Sequence, residues 1–374
     1  MLTAEYLDSI SDDLVILYSS FELAVLEDIA RRLRKMNYTT STARFQIELL
    51  QESGLVYESI VKKIALYSGK SEKEVSSSFE DAMVKSMAFD DKIYRAAGLS
   101  SIPLGQSDTM LQLLEANIIK TNGTLSNLTM TTATNGQQLF RQAASQAHLQ
   151  IQSGGFSFDQ AYRNAINMVG REQLKVQYPT GATRSIESAM RNNLMTSINQ
   201  TSGIVQNARM DELGVDLVQT TAHSGAREGE GYKGHANWQG KIFKRNGSTM
   251  EYRNFVEATG LGQVDGLLGA NCRHSYFGYI PGTPTGYTEE LLRSYKEPDV
   301  TYNGKTMSYY DGTQKLRYHE SQIRNWKTRA KINESAGLDN SKELAKVRDW
   351  QSKTRDLVKQ TGVKRDYTRE AIAR

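Results

Sequence analysis

No proline occurs in the first 102 residues of this 374-residue chain, and all five prolines lie at Pro103 or later. Nothing in that stretch removes a backbone donor or clashes with a preceding helical turn. Within it Leu14, Leu17, Phe21, Ala24, Val25, Ile29 and Leu33 follow the i, i+3, i+4 spacing of one helical face, broken only by Asp28. The spacing predicts helices over residues 11–97, with breaks near Asn37–Thr42 and Ser68–Ser71. Ser71 followed by Glu74 reads as a capping box that starts a third helix. Heavily charged amphipathic helices of this kind suit an extended helical assembly or an oligomer.

Gly98–Ser107, holding Pro103, reads as a linker. Helix resumes over residues 108–173, through the polar run TNGTLSNLTMTTATNGQQ, and SGGFSFDQAYRNAINMV starts a new helix after a glycine break. Pro179–Thr183 marks a turn. Residues 184–213 read as a long helix with Gly214 as its C-cap.

The pattern changes after Gly214. VDLVQTTA alternates β-branched residues as a strand does. The Gly-rich loop HSGAREGEGYKGHANWQGKIF follows and ends in a second short strand near Lys241–Lys244. A short helix is expected within residues 248–264, then the loop GLLGANCRHSYFGYIPGTPTG. From Glu289 onward the chain is read as helical and increasingly basic. The expected fold class is mainly α with a small α+β module. The expected domains are a long helical N-terminal region over 1–105, suited to oligomer contacts, and a helical domain over 106–214. A loop-rich α+β module over 215–288, of a size that can fold alone, and a basic helical tail over 289–374 complete the set.

No apolar run approaches the roughly 18 residues needed to span a bilayer, so no membrane partner is expected. The N-terminal MLTAEYLDSISDDLV is acidic, with no basic region ahead of an apolar stretch, unlike a secretory signal. Synthesis and use in the cytosol are expected. A single cysteine, Cys272, rules out an internal disulfide and a multi-cysteine zinc ribbon. The net charge of +4 hides an asymmetry: residues 315–374 hold 16 Lys and Arg against 8 Asp and Glu, a net of +8, leaving −4 on the remainder. A basic segment on a mildly acidic body points to a polyanion or an acidic protein surface as partner.

Chemistry gathers in the Gly-rich module at His223, Arg227, His235, Trp238, Gln239, Lys241, Asn271, Cys272, Arg273 and His274. Three readings stand side by side. Cys272, His274, His223 and His235 are candidate zinc ligands, since Cys-x-His is a short chelate, although the paired-cysteine spacing is missing. His223 and His235 could serve as acid and base, with Arg227 or Lys241 stabilising charge, as in a nuclease or transferase. In the third reading the polar side chains pin the loops while Trp238 and Phe243 fill the core. This structural reading is favoured, because no nucleophile–base signature accompanies the histidines, and neither a catalytic residue nor a cofactor is expected. GLGQVDGLLG lacks the preceding strand of a dinucleotide loop and is set aside. His148 is expected at a surface or interface, and His319 in solvent. In the tail, Arg324, Trp326, Lys327, Arg329, Arg348, Trp350 and Lys353 interleave cations with aromatics. That pattern suits nucleic-acid contact and equally a helix that docks through its tryptophans.

The loop TTAHSGAREGEGYKGHANWQGKIF, paired with GLLGANCRHSYFGYIPG, closely resembles the phage minor capsid protein 2 family of tailed phages. SGGFSFDQAYRNAINMV, VQYPTGATRSIESAMRNNLMTSINQT and IRNWKTRAK resemble it too, so the likeness covers about residues 135 to 360. The Mu protein F-like head morphogenesis proteins are more distantly similar. Many of them carry a cysteine pair plus a third cysteine, where this chain has only Cys272. The resemblance implies a low-copy structural head protein near the portal, inside the capsid, aiding assembly, DNA packaging or ejection. Its expected partners are the portal protein, other capsid proteins, packaged double-stranded DNA and further copies of the chain. The alternative is a nuclease or other effector enzyme delivered with the virion.

Overall fold

The computed structural model describes residues 1–296 and 298–372, so the last two residues of the expected basic tail lie outside the described chain. The described residues form ten α-helices: α1 Ala4–Ser9, α2 Asp12–Lys35, α3 Thr42–Ala96, α4 Asp108–Gln152, α5 Phe158–Glu172, α6 Ile186–Leu213, α7 Phe255–Thr259, α8 Glu289–Ser294, α9 Tyr309–Ser335 and α10 Ser341–Thr361. Seven short strands accompany them: β1 Lys175–Gln177, β2 Thr183–Ser185, β3 Leu217–Thr220, β4 Ile242–Lys244, β5 Tyr276–Tyr279, β6 Val300–Tyr302 and β7 Lys305–Met307. The protein is mainly α with small antiparallel sheets, the fold class expected from the sequence.

The proline-free segment gives α1, α2 and α3, the last the longest helix among the described residues. On α2, Leu14, Phe21, Val25, Ile29 and Leu33 are buried, as their spacing requires. α3 runs unbroken for 55 residues, which corrects the expected break and capping box at Ser71. That serine is buried in mid-helix, and its Oγ accepts from the Tyr18 hydroxyl at 3.3 Å. A tertiary contact uses the hydroxyl that a cap would have used.

Three other expectations change. The helix predicted within residues 248–264 shrinks to α7. Asn254 caps its start by accepting from the Glu257 N–H, and Gly260, at φ +62°, ends it. The region after Glu289 is not wholly helical, because β6 and β7 form a hairpin with Val300 opposite Met307. Its turn residues Asn303 and Gly304 have φ of +48° and +75°, the left-handed pair that two-residue hairpins demand. The loop after Cys272 contains β5, a strand whose glycine and aromatics hide its alternation.

The chain divides into two compact units. One comprises Met1–Asp12, Lys73–Gly123 and Arg191–Thr313. The other comprises Asp13–Glu72, Thr124–Met190 and the chain from Gln314 onward. The second unit is built from helices, with the β1–β2 hairpin beside them. His148 belongs to its core, contrary to the expected surface or interface position. It is 3% exposed, its ring stacks on Phe45 at 3.9 Å, and Nδ1 faces the Tyr38 carbonyl at 3.0 Å. His319 is also buried rather than solvated, packed edge-on against Trp350 at 5.2 Å.

The first unit holds the three-stranded antiparallel sheet, in the order β4-β3-β5, with Val218 of β3 opposite Phe243 and Gly278. Its apolar core joins Val218, Trp238, Phe243, Phe255, Leu267, Leu268 and Tyr276. Helices complete that core: Tyr94 comes from α3 and Met210 from α6.

Candidate functional site

The Gly-rich loops after β3 and before β5 meet in the first unit, and α6 holds them there. Asn199 donates its amide to the carbonyls of Cys272 at 3.2 Å and His274 at 2.9 Å. Gln200 donates to the Leu268 carbonyl at 3.1 Å, and the side-chain oxygen of Asn192 accepts the Asn271 N–H at 3.2 Å. Asn192 and Asn199 are seven residues apart, two turns along one helix face. These anchors let Leu268 and Asn271 keep φ of +60° and +59°, conformations that cost residues with a Cβ about 1 kcal/mol or more. Where the loop passes closest to itself only glycine fits: a Cβ on Gly266 would fall on the Gly260 carbonyl oxygen.

Within this frame Cys272, His235 and His274 are 1%, 3% and 1% exposed. Cys272 Sγ lies 3.8 Å from Nδ1 of His235 and 3.8 Å from Nδ1 of His274. The outer ring nitrogens point away from the sulfur. His235 Nε2 faces the Asp265 carbonyl at 3.0 Å, and His274 Nε2 faces Gln239 Oε1 at 3.1 Å. His223 lies tilted against His274, ring centroids 4.3 Å apart, with Nδ1 on the Ser224 carbonyl at 2.8 Å. Trp238 sits edge-on to His274 at 4.8 Å and donates its indole N–H to the Tyr232 carbonyl at 2.8 Å.

Burial sets the electrostatics. It lowers the pKa of His223 and of His274, the latter well below the usual imidazole range, and takes His235 down to about 4. It also pushes the Cys272 thiol up to about 11. The three imidazoles are therefore neutral at pH 7, and the unliganded cysteine is a thiol rather than a nucleophilic thiolate.

The remaining module residues take supporting places. Arg227 donates to the Asp265 carbonyl at 3.3 Å, the oxygen that also meets His235. Arg273 pairs with Asp8 at 2.6 Å. Lys241 is exposed and donates to the Asn237 carbonyl at 2.7 Å, while Asn271 is exposed on its loop.

The tail residues belong to the other unit. Arg324 pairs with Glu187 and donates to the Arg369 carbonyl at 2.7 Å. Lys327 donates to the Glu370 carbonyl at 2.8 Å. Arg329 lies over the Trp326 ring at 4.4 Å. Trp350 packs against Tyr318 and His319. Arg348 and Lys353 are exposed on α10, with Lys353 paired to Asp349 at 3.0 Å.

Sequence reasoning named the histidines and Cys272 but missed Asn192, Asn199, Gln200 and Asp265. The amides on one face of α6 were the available signal. It also missed a buried ionic cluster in the same unit. There Arg209, 1% exposed, pairs with Asp91 and lies 3.8 Å from the fully buried Asp90, to which Gln206 donates.

Comparison with known proteins agrees with the resemblance read from the loops. A structural protein of Lactococcus phage mv4 is 34% identical over 117 residues, which is 30% of this chain and 87% of that protein. A structural protein of Lactococcus phage LL-H is 27% identical over 198 residues, and the match spans 50% of this chain and 48% of that protein. No solved structure matches the chain. The family described as phage minor capsid protein 2 matches residues 2–359, nearly the whole length, and the chain belongs to it.

Proposed function

We propose that this phage structural protein sits inside the head beside the portal, contacts the portal protein and neighbouring capsid proteins, and meets packaged double-stranded DNA through its basic C-terminal helices. The observation that carries the reading is the surface of α10. Lys342, Lys346, Arg348, Lys353, Arg355 and Lys359 are all exposed on this one helix, in a segment of net charge +8. Cations so placed attract phosphate without reading sequence. Protein contacts find support on α3, where Ile47, Leu50, Leu55 and Leu66 are 60%, 59%, 45% and 66% exposed. Large apolar side chains left in solvent along one helix favour a protein partner, including a second copy of the chain.

The alternative, a virion-delivered nuclease or other effector enzyme working through His223, His235 and His274, has burial against it. A general acid or base must reach the proton it moves, and His235 and His274 lie beneath the surface. Protease treatment of filled heads tests the location. The chain should survive intact in filled heads and be cut once the heads are ruptured. Cleavage in intact heads would place it outside and overturn the reading.

A further inference from the structure

We propose that Cys272, His235 and His274 form a zinc site that fastens the loop before β5 to the loop after β3. The argument rests on where the protons must be. The Asp265 carbonyl can only accept a hydrogen bond, so His235 Nε2, 3.0 Å away, carries the proton and Nδ1 is a bare lone pair. Gln239 Oε1 also accepts the His223 backbone N–H at 3.1 Å, which fixes that atom as oxygen. His274 Nε2 must then donate to it, and His274 Nδ1 is bare as well. Both bare nitrogens lie 3.8 Å from one sulfur. A thiol has one proton, for which the His274 carbonyl at 3.7 Å competes with both nitrogens, so without a metal at least one buried lone pair stays unsatisfied.

A zinc ion resolves that mismatch. With Zn–S near 2.3 Å and Zn–N near 2.0–2.1 Å, a tetrahedral ion separates sulfur from nitrogen by about 3.6 Å. The three donor atoms all lie within 4.8 Å of one another. The outer contacts are those a zinc-bound imidazole makes, with each free N–H given to an oxygen that holds the ring in orientation. His223 lies beside this set, its ring centroid 4.3 Å from that of His274. Its Nδ1 donates to the Ser224 carbonyl, leaving Nε2 bare, buried and without a partner. Nitrogen and thiolate donors select zinc over harder cations such as magnesium or calcium. On binding, the thiol proton leaves to solvent and the thiolate takes its place on the metal. The site joins segments 37 residues apart in sequence, His235 and Cys272, in loops that hydrogen bonds and the apolar packing of Trp238, Leu267 and Leu268 also hold.

The test uses the full chain, reduced and metal-free, titrated with cobalt(II) alone, with the zinc content of untreated protein measured alongside. Cys272 is the only cysteine, so a thiolate-to-cobalt charge-transfer band can come from no other residue. The expected result is about one zinc per chain in the untreated protein. Cobalt should give that band together with the intense visible bands of tetrahedral geometry. Cys272→Ser should abolish the charge-transfer band, and His235→Gln or His274→Gln should weaken cobalt binding at least tenfold. If those variants do not fold, the wild-type spectrum decides alone. A folded wild-type chain with a free thiol and no such band overturns the proposal, as does cobalt bound without it.

Discussion

His274 and Gln239 hold each other in a single hydrogen-bonding state. The Gln239 Oε1 accepts from His274 Nε2 at 3.1 Å while it also accepts the His223 N–H at 3.1 Å. Gln239→Leu would strand both donors in the interior, at roughly 1–3 kcal/mol for each. We expect a loss of about 2–5 kcal/mol in urea unfolding of the full chain. Gln239→Glu should cost less, because its carboxylate still accepts both bonds. Equal stability of the leucine variant and the wild type would show that the loops do not depend on this contact.

Gly203 on α6 gives a prediction of opposite sign to the usual one. Replacing a mid-helix glycine by alanine ordinarily stabilises a helix by about 1 kcal/mol. Here the added Cβ would lie 2.5 Å from Leu268 Cδ1 and 3.2 Å from the Tyr276 hydroxyl, which donates to the Gly203 carbonyl. Overpacking should win, so Gly203→Ala should lower stability by about 1–3 kcal/mol. A raised thermal midpoint would mean that α6 does not approach the loop this closely.

Much of the helical architecture was legible in the sequence, because it rests on local signals. The absence of proline and the spacing of Leu14, Phe21, Val25, Ile29 and Leu33 require no tertiary information. Ser71 misled because a serine followed three residues later by glutamate looks the same whether it caps a helix or bonds a distant tyrosine. His148 and His319 misled because a lone polar residue does not reveal which aromatic ring will cover it. Asn303-Gly304 was a readable hairpin turn, hidden inside a segment judged by its charge. In the site, residue types pointed to Cys272 and the histidines, but ring orientation depends on Gln239 and Asp265, which only the fold brings near. The core of the Gly-rich module likewise depends on Tyr94 and Met210, more than a hundred residues and a few residues upstream of it.

Asp90 gives the pH dependence. Burial, the largest cause, raises its pKa to about 7 against the pull of the Met1 ammonium and Arg209. An acid whose folded pKa is raised binds more protons folded than unfolded, so its stability contribution is complete below about pH 4 and is lost as pH rises through about 7. The Met1 ammonium, lowered to about 6 mainly by burial, acts in the opposite sense above that pH. Asp90 is therefore read most cleanly between about pH 4 and 6, where it should remove on the order of 2 kcal/mol. Asp90→Asn should be flatter than wild type across that interval in urea midpoints. Parallel curves would contradict the assignment.

For DNA, the exposed cations of α10 set the expectation. If about five phosphates are neutralised, the logarithm of the binding constant should fall with the logarithm of salt concentration at a slope of roughly −4 to −5 on random duplex DNA. Replacing Lys342, Lys346, Arg355 and Lys359 together by glutamine should flatten that slope by about 3–4. Replacing Lys327, whose ammonium is held by the Glu370 carbonyl, should change it little. A quadruple variant that binds as the wild type does would move any DNA contact away from this helix.

Cross-linking of intact heads with a lysine-reactive reagent, followed by mass spectrometry, tests the placement beside the portal most directly. The account predicts links from this chain to the portal protein, including links from lysines of α10 or of α3. Abundant links to the capsid shell, with none to the portal protein in heads where the portal itself is well covered, would contradict it.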